Sequence, residues 1–273
     1  MNYQQPILLF TALPCEAKPL VAHFDLKKNL AIKPFAIYSK DSIILTVTGL
    51  GKSAMAAGIA YTHALFAKNK TAVLLNVGVA GHKDHQLGTV FATEKITDMD
   101  SGRNFYPPLV ARLTCNTATV CTVSRAQTVY RHGYLYDMEA SAFYETSARF
   151  TTAELVQCIK VISDNESSPT HKIQPKQVEQ WIAGSIITLE KLIAELSALA
   201  ESIDPIEPKL YDELVTRWHF TSSQQHILKT LLSRHQVLTD GKPFELGDMQ
   251  FNSPKALLQW LEKKIENIDI SID

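Results

Sequence analysis

Three carboxylates in this sequence stand where an acid could do chemistry. Glu16 follows the apolar run Ile7-Leu8-Leu9-Phe10-Thr11-Ala12-Leu13 and Pro14. Asp164 closes the run that begins at Val156 and ends Ile162-Ser163. Glu139 lies in Tyr136-Asp137-Met138-Glu139-Ala140, where a helical stretch opens. Continuous apolar runs of this length fit buried strands, and ligands on open α/β sheets bind outside the carboxyl ends of the strands. Carboxylates from three such ends can converge on one cleft, where burial raises a carboxyl toward general-acid duty. Two of them have a structural alternative. Asp137 and Glu139 suit a helix N-terminus through the helix dipole, and Asp164 suits a cap.

The glycines point to close backbone approach. Of 11 glycines, six (Gly49, Gly51, Gly58, Gly78, Gly81 and Gly88) fall between positions 49 and 88. Gly49-Leu50-Gly51-Lys52-Ser53 follows a strand and opens a helix, but a P-loop needs glycine where Thr46 stands. What remains is either a pair of glycines letting helix N-terminal N–H groups reach a polar ligand, or a tight turn. Asn76-Val77-Gly78-Val79-Ala80-Gly81 reads as a loop at the end of a strand over 73–77. His82-Lys83-Asp84-His85 has no further ligand placed to complete a metal site, so it reads as a solvated loop and no metal is assigned.

The elements that would position these residues alternate. Strands are predicted over 7–13, 35–38, 42–48, 73–77, 89–96, 117–123 and 156–162. Helices are predicted over 16–24, 52–68, 138–150 and 174–199. The alternation predicts an α/β fold with a largely parallel or mixed sheet. Residues 1–200 form this domain, 201–208 with two prolines form a linker, and 209–273 form a small helical domain with helices over 209–218, 222–235 and 253–268. Beyond Pro205 the chain carries 8 Lys+Arg and 10 Asp+Glu, too acidic for a DNA-binding unit. Its leucines 228, 231, 232, 257, 258 and 261 suggest a mini-core or a docking face for a protein partner.

Composition removes several classes. With 27 Lys+Arg against 28 Asp+Glu, the net charge of −1 lacks the footprint of a nucleic-acid binder. Four cysteines form no CxxC pair, which argues against a disulfide scaffold and a zinc ribbon. The start lacks a basic region, and no stretch approaches the ~20 apolar residues of a membrane span, so no membrane partner is expected and the cytoplasm is the expected address.

Read together, five segments resemble the nucleoside phosphorylase superfamily, and within it the 5′-methylthioadenosine/S-adenosylhomocysteine nucleosidases. They are Thr11-Ala12-Leu13-Pro14-Cys15-Glu16, Thr48-Gly49-Leu50-Gly51-Lys52, Asn76-Val77-Gly78-Val79-Ala80-Gly81, Asp137-Met138-Glu139-Ala140 and Ile162-Ser163-Asp164. The resemblance spans residues 6–195 and does not extend past 205. It implies a three-layer mixed sheet flanked by helices, no cofactor, a homodimer, and hydrolysis of the N-glycosidic bond of a 5′-substituted adenosine. Asp164 would protonate purine N7, Glu139 would accept from the ribose hydroxyls, Met138 would pack on the sugar, and Glu16 would orient the attacking water. Gly78, Val79, Ala80 and Ser163 would contact the nucleoside, and Lys160, Gly49 and Gly51 would position water or an anion.

The sequence departs from the family pattern in three places. Val79 replaces a small hydroxyl residue, and Lys160 replaces an Arg, keeping the charge but losing the planar fork. The stretch 115–137 is short, with Ser124-Arg125-Ala126-Gln127 as its remnant and Tyr130, Tyr134 and Tyr136 as substitutes for a stacking wall. A phosphorylase would need Arg and hydroxyl donors for a dianion; Glu16 and Val79 argue for water instead. The competing expectations are a non-catalytic nucleoside-binding or partner-binding protein on a shortened fold, and a phosphorylase.

Overall fold

All five residues of the first strand, β1 (Ile7–Thr11), are buried, as a run that is apolar on both faces requires. The structure, a computed structural model, describes residues 3–68, 70–127, 130, 133–203, 209–239, 242, 244, 251–266 and 268. After β1 come α1 (Pro14–His23), β2 (Lys27–Lys28), β3 (Ala36–Lys40), β4 (Ile43–Val47), α2 (Lys52–Phe66) and β5 (Val73–Gly81). They are followed by β6 (Val90–Asp98), β7 (Asn104–Phe105), β8 (Asn116–Thr122), β9 (Leu135–Asp137), α3 (Ala140–Ser147), β10 (Val156–Asp164) and α4 (Pro175–Ile203). Last come α5 (Lys209–Arg217), α6 (Ser222–Leu238) and α7 (Pro254–Glu266). The chain divides into two compact units, Met1–Ile203 and Asp204–Asp273.

The first unit is a three-layer α/β structure. Its mixed sheet has the order β10-β6-β8-β9-β5-β1-β4-β3-β2, with β7 beside β6 and β10 also paired to β5. Strands β5, β10, β6, β8 and β9 therefore close on one another, and β1, β4, β3 and β2 extend from β5 as an open wing. Because β1, β4, β5 and β10 run parallel, their carboxyl ends share one edge. Side chains alternate across that sheet. Ile7 and Leu9 point into a core shared with Leu20 of α1 and Ile182, Leu189, Ile193 and Leu196 of α4. Leu8 and Phe10 point the other way, toward Met55 and Ile59 of α2 and Phe143 of α3.

Three expectations are corrected. Gly78-Val79-Ala80-Gly81 is not a loop: β5 runs through it, in register with Lys160 to Asp164 of β10. The small residues serve space rather than turning, because polar side chains from α1, β10 and Tyr130 crowd this end of the strand. The helix expected over 138–150 is present but shorter, as α3 (Ala140–Ser147), and it is preceded by an unexpected three-residue strand, β9; Asp137 Oδ2 accepts from Ala140 N at 2.7 Å where the helix begins. Residues 201–203 of the expected linker are the last turn of α4, which runs on until Pro205 approaches. The rest of that linker, 204–208, lies outside the described residues.

The second unit is built on its own small core. Leu214, Phe220, Leu228, Leu231, Leu232, Leu257, Leu258, Leu261 and Ile265 are buried together, so the six leucines noted above fill a mini-core. Thr221 caps α6 and Gln224 reaches back to Thr221 N at 3.0 Å; Ser253 Oγ accepts from Ala256 N at 3.2 Å with Pro254 in the first turn of α7. Among the described residues no helix is long and apolar enough to cross a membrane.

Candidate active site

The shared strand edge opens into a cavity of about 330 Å³ that lies wholly within the first unit. Glu16, Val79, Ala80, Met138, Glu139, Ser163 and Asp164 all line it. Gly78 and Lys160 sit behind that lining, and Gly49 and Gly51 shape the turn beside it.

Glu16 is in the first turn of α1, where Pro14 starts the helix. Its Oε2 accepts from Ala12 N at 2.9 Å and Leu13 N at 2.8 Å, while Oε1 accepts from Val79 N at 2.9 Å. One carboxylate thus ties the ends of β1 and β5 together. Burial pushes its pKa up, against three backbone donors and the Lys160 charge, which pull it down. Gly78 makes this approach feasible, since a Cβ there would stand 3.2 Å from Glu16 Oε1 and 3.6 Å from Lys160 Nζ.

Lys160 is fully buried in mid-β10 and holds the charges around it. Its Nζ donates to Asn76 Oδ1 at 2.6 Å and pairs with Asp137 Oδ2 at 2.7 Å. Desolvation lowers the lysine, but Asp137, Cys158 and Glu139 outweigh it and hold the pKa above the usual lysine range. Asp137 was legible only as a cap. It stands two residues before the cap position, where its Oδ2 accepts from Ala140 N at 2.7 Å, and it also accepts from Thr122 Oγ1 at 2.7 Å and serves as counter-ion to Lys160. Its type and position carried no signal for that second role, because the pairing joins residues on β9 and β10.

Glu139 occupies the cap position of α3, but its side chain reaches across to the glycine turn. Gly51 N donates to Glu139 Oε1 at 2.7 Å. Gly49 and Gly51 have φ of +91° and +92°, a region that disfavours side chains. The glycine turn therefore presents its N–H to a carboxylate of the protein itself. Burial first, then the Asp137 charge, pushes the Glu139 carboxyl up to about 7, with Lys160 and the Gly51 N–H opposing. Lys52 takes no part: its ammonium lies on Asp98 at 3.0 Å and Asp100 at 2.5 Å.

Asp164 ends β10 beneath three hydroxyls. Ser163 Oγ donates to Oδ1 at 2.5 Å, Thr170 Oγ1 to Oδ2 at 2.9 Å, and the Tyr130 hydroxyl to Oδ2. Sequence reading missed Thr170, which lies in a short turn without periodicity. Of the three tyrosines considered for an aromatic wall, Tyr130 and Tyr136 line the cavity with ring centroids 5.7 Å apart, and Tyr134 is 40% exposed away from it. Ala126 and Gln127 also line it; Thr128, Val129, Arg131 and His132 of the short segment lie outside the described residues.

Among the described residues neither Arg nor Lys lines the cavity, and no group of three His, Cys, Asp or Glu is placed to hold a metal. His82 Nδ1 accepts from Asp84 N and His85 N at 3.0 Å each, which shapes the loop after β5. Three carboxylates around one buried cation, with Asp164 in the same lining, make a pocket that favours developing positive charge and repels an anion.

No family model and no curated protein matches the sequence. Solved structures do match, in fold: about 70% of the chain is similar to proteins described as nucleosidases and to a futalosine hydrolase. The 5′-methylthioadenosine nucleosidase of Arabidopsis thaliana in apo form matches with a TM-score of 0.58 at 16% identity, covering 72% of this chain and 97% of that one. The methylthioadenosine/S-adenosylhomocysteine nucleosidase of Colwellia psychrerythraea 34H, in complex with adenine, matches with a TM-score of 0.54 at 15% identity over 72% of this chain and 97% of that one. The futalosine hydrolase of Helicobacter pylori strain 26695 follows with 0.55 at 14% identity, over 70% and 98%.

Proposed function

We infer that the chain is a purine nucleosidase, hydrolysing the N-glycosidic bond of a 5′-substituted adenosine in the cytoplasm and releasing adenine. The observation that carries this reading is the meeting of Glu16, Glu139 and Asp164 in one cavity, from three separate ends of elements. The chemistry suits the residue types. N-glycosidic cleavage passes through an oxocarbenium-like state, which carboxylates near the sugar stabilise while an acid unloads the base. Asp164 meets the base at N7, Glu139 accepts from the ribose hydroxyls, and Met138 packs against the sugar. Three of the four lone-pair positions of Glu16 are taken by backbone N–H groups, leaving one on Oε1 to orient a water.

Hydrolysis is favoured over phosphorolysis because, among the described residues, the cavity lining holds carboxylates and no cation for a dianion. Leu13, Leu50, Ile173 and Val178 in the lining suit an uncharged, apolar substituent such as a thioether. A homodimer belongs to the same reading and is tested by light scattering. The decisive assay incubates the protein with methylthioadenosine, S-adenosylhomocysteine, 5′-deoxyadenosine and futalosine and follows the free base by chromatography. Adenine release from one of the first three is expected, and Asp164→Asn should cut turnover by about 10²–10⁴ while leaving the melting curve in place. Saturable binding without base release would instead support a nucleoside-binding protein. A fully active Asp164→Asn would remove Asp164 from its role.

A further inference from the structure

A carboxylate offers about four lone-pair positions, two on each oxygen. At Asp164, Ser163 Oγ fills one on Oδ1 at 2.5 Å, while Thr170 Oγ1 at 2.9 Å and the Tyr130 hydroxyl fill both on Oδ2. A single position is left, on Oδ1. With a proton on N7, a purine such as adenine offers two neighbouring donors on one edge, the ring N7–H and the exocyclic N–H at C6, whereas unsubstituted purine offers N7–H alone. Holding both at one carboxylate takes both oxygens, so the seated phenol and a two-point base contact exclude each other. Tyr130 is built into this place: it lines the cavity yet is buried, and burial raises its phenol pKa so that the proton stays on the oxygen. Gly81 belongs to the same arrangement. A Cβ there would stand 2.5 Å from Asp164 Oδ2 and 2.7 Å from the Tyr130 hydroxyl, so the glycine leaves the room in which the two groups meet.

Resting on the reading of Asp164 as the residue that meets the base, we propose that Tyr130 is the specificity-determining residue of the base subsite. Its hydroxyl competes with the C6 substituent of the purine for Asp164 Oδ2. A base without that substituent binds through the remaining Oδ1 position and leaves the phenol seated. Adenine has to displace it, and its affinity is reduced accordingly.

The test is calorimetry with adenine and with unsubstituted purine on the wild type and Tyr130→Phe. The phenylalanine keeps the ring, and Ser163 and Thr170 still satisfy Asp164. Removing a hydrogen bond to a charged group should tighten adenine by about tenfold, with purine changed by less than about twofold. Adenine binding that is unchanged or weaker, or both bases shifting alike, overturns the proposal. A structure of the wild type soaked with adenine gives an independent readout, and a phenol still on Asp164 with adenine bound overturns it as well. If the wild type releases adenine from methylthioadenosine while these results fail, the Tyr130 proposal alone falls. If no base binds either protein and no nucleoside is hydrolysed, the nucleosidase reading falls and takes the proposal with it.

Discussion

Glu139→Gln should stabilise the protein, and only at neutral to alkaline pH. The carboxyl is held at about 7 against a free value of 4.5, because its charged form is desolvated and faces Asp137. A group whose folded value is raised has no adverse effect below its unfolded value, when both states carry the proton. The cost of ionising it inside the fold appears as pH rises from 4.5 and is complete above about 7. At about 1.36 kcal/mol per pH unit this amounts to roughly 3 kcal/mol. Glutamine keeps an oxygen to accept from Gly51 N and never ionises, so it avoids that cost. With about 2–4 °C per kcal/mol for a unit of this size, the variant should melt about 6–12 °C above the wild type near pH 8, and level with it near pH 4.5. Thermal melts of the two proteins across that range measure it, alongside a nucleosidase assay in which the variant loses ribose contacts and activity. Equal melting temperatures at both ends, or a variant less stable near pH 8, would refute the argument that Glu139 is kept at the expense of stability.

Other perturbations separate the parts of the site. Lys160→Met strands Asp137, Glu139 and Glu16 without their shared cation, and should destabilise by about 3–5 kcal/mol, as a broken buried pair does. That loss should shrink in acid, where the carboxylates take up protons, and a denaturant titration at two pH values checks both statements. Gly81→Ala puts a methyl group 2.5 Å from Asp164 Oδ2 and should drive the carboxylate and the Tyr130 phenol apart. A loss of about 1–3 kcal/mol in stability and at least tenfold in turnover is expected; unimpaired turnover would show that the close approach at Gly81 does not matter to the chemistry.

Much of the architecture was legible locally. The β1 run is apolar on both faces and β5 nearly so, which fits interior strands, while β10 is a mostly apolar run interrupted by Gln157 and Lys160; the spacing of Val178, Ile182, Ile186, Leu189 and Ile193 marks one buried helix face. The misread elements share a cause. β9 has three residues and no period of its own, and exists because β8 and Gly81 of β5 flank it. Gly78 to Gly81 looked like a turn because glycine usually marks one, whereas here the missing Cβ atoms make room for Glu16, Lys160, Asp164 and Tyr130.

By itself, the sequence determined that acids would stand at strand ends, since hydrophobic periodicity is a local property and places each run's end within a few residues. It also determined that these acids could share a cleft, because parallel strands expose their carboxyl ends on one edge. Only the tertiary structure decided what each acid does there. Lys160 became the counter-ion of Asp137, the glycine turn became a donor to Glu139, and Tyr130 came to rest on Asp164. These are contacts between residues 23, 88 and 34 positions apart in the chain. Their existence depends on strand order and register, and both are set by packing of the whole sheet, which no local pattern encodes.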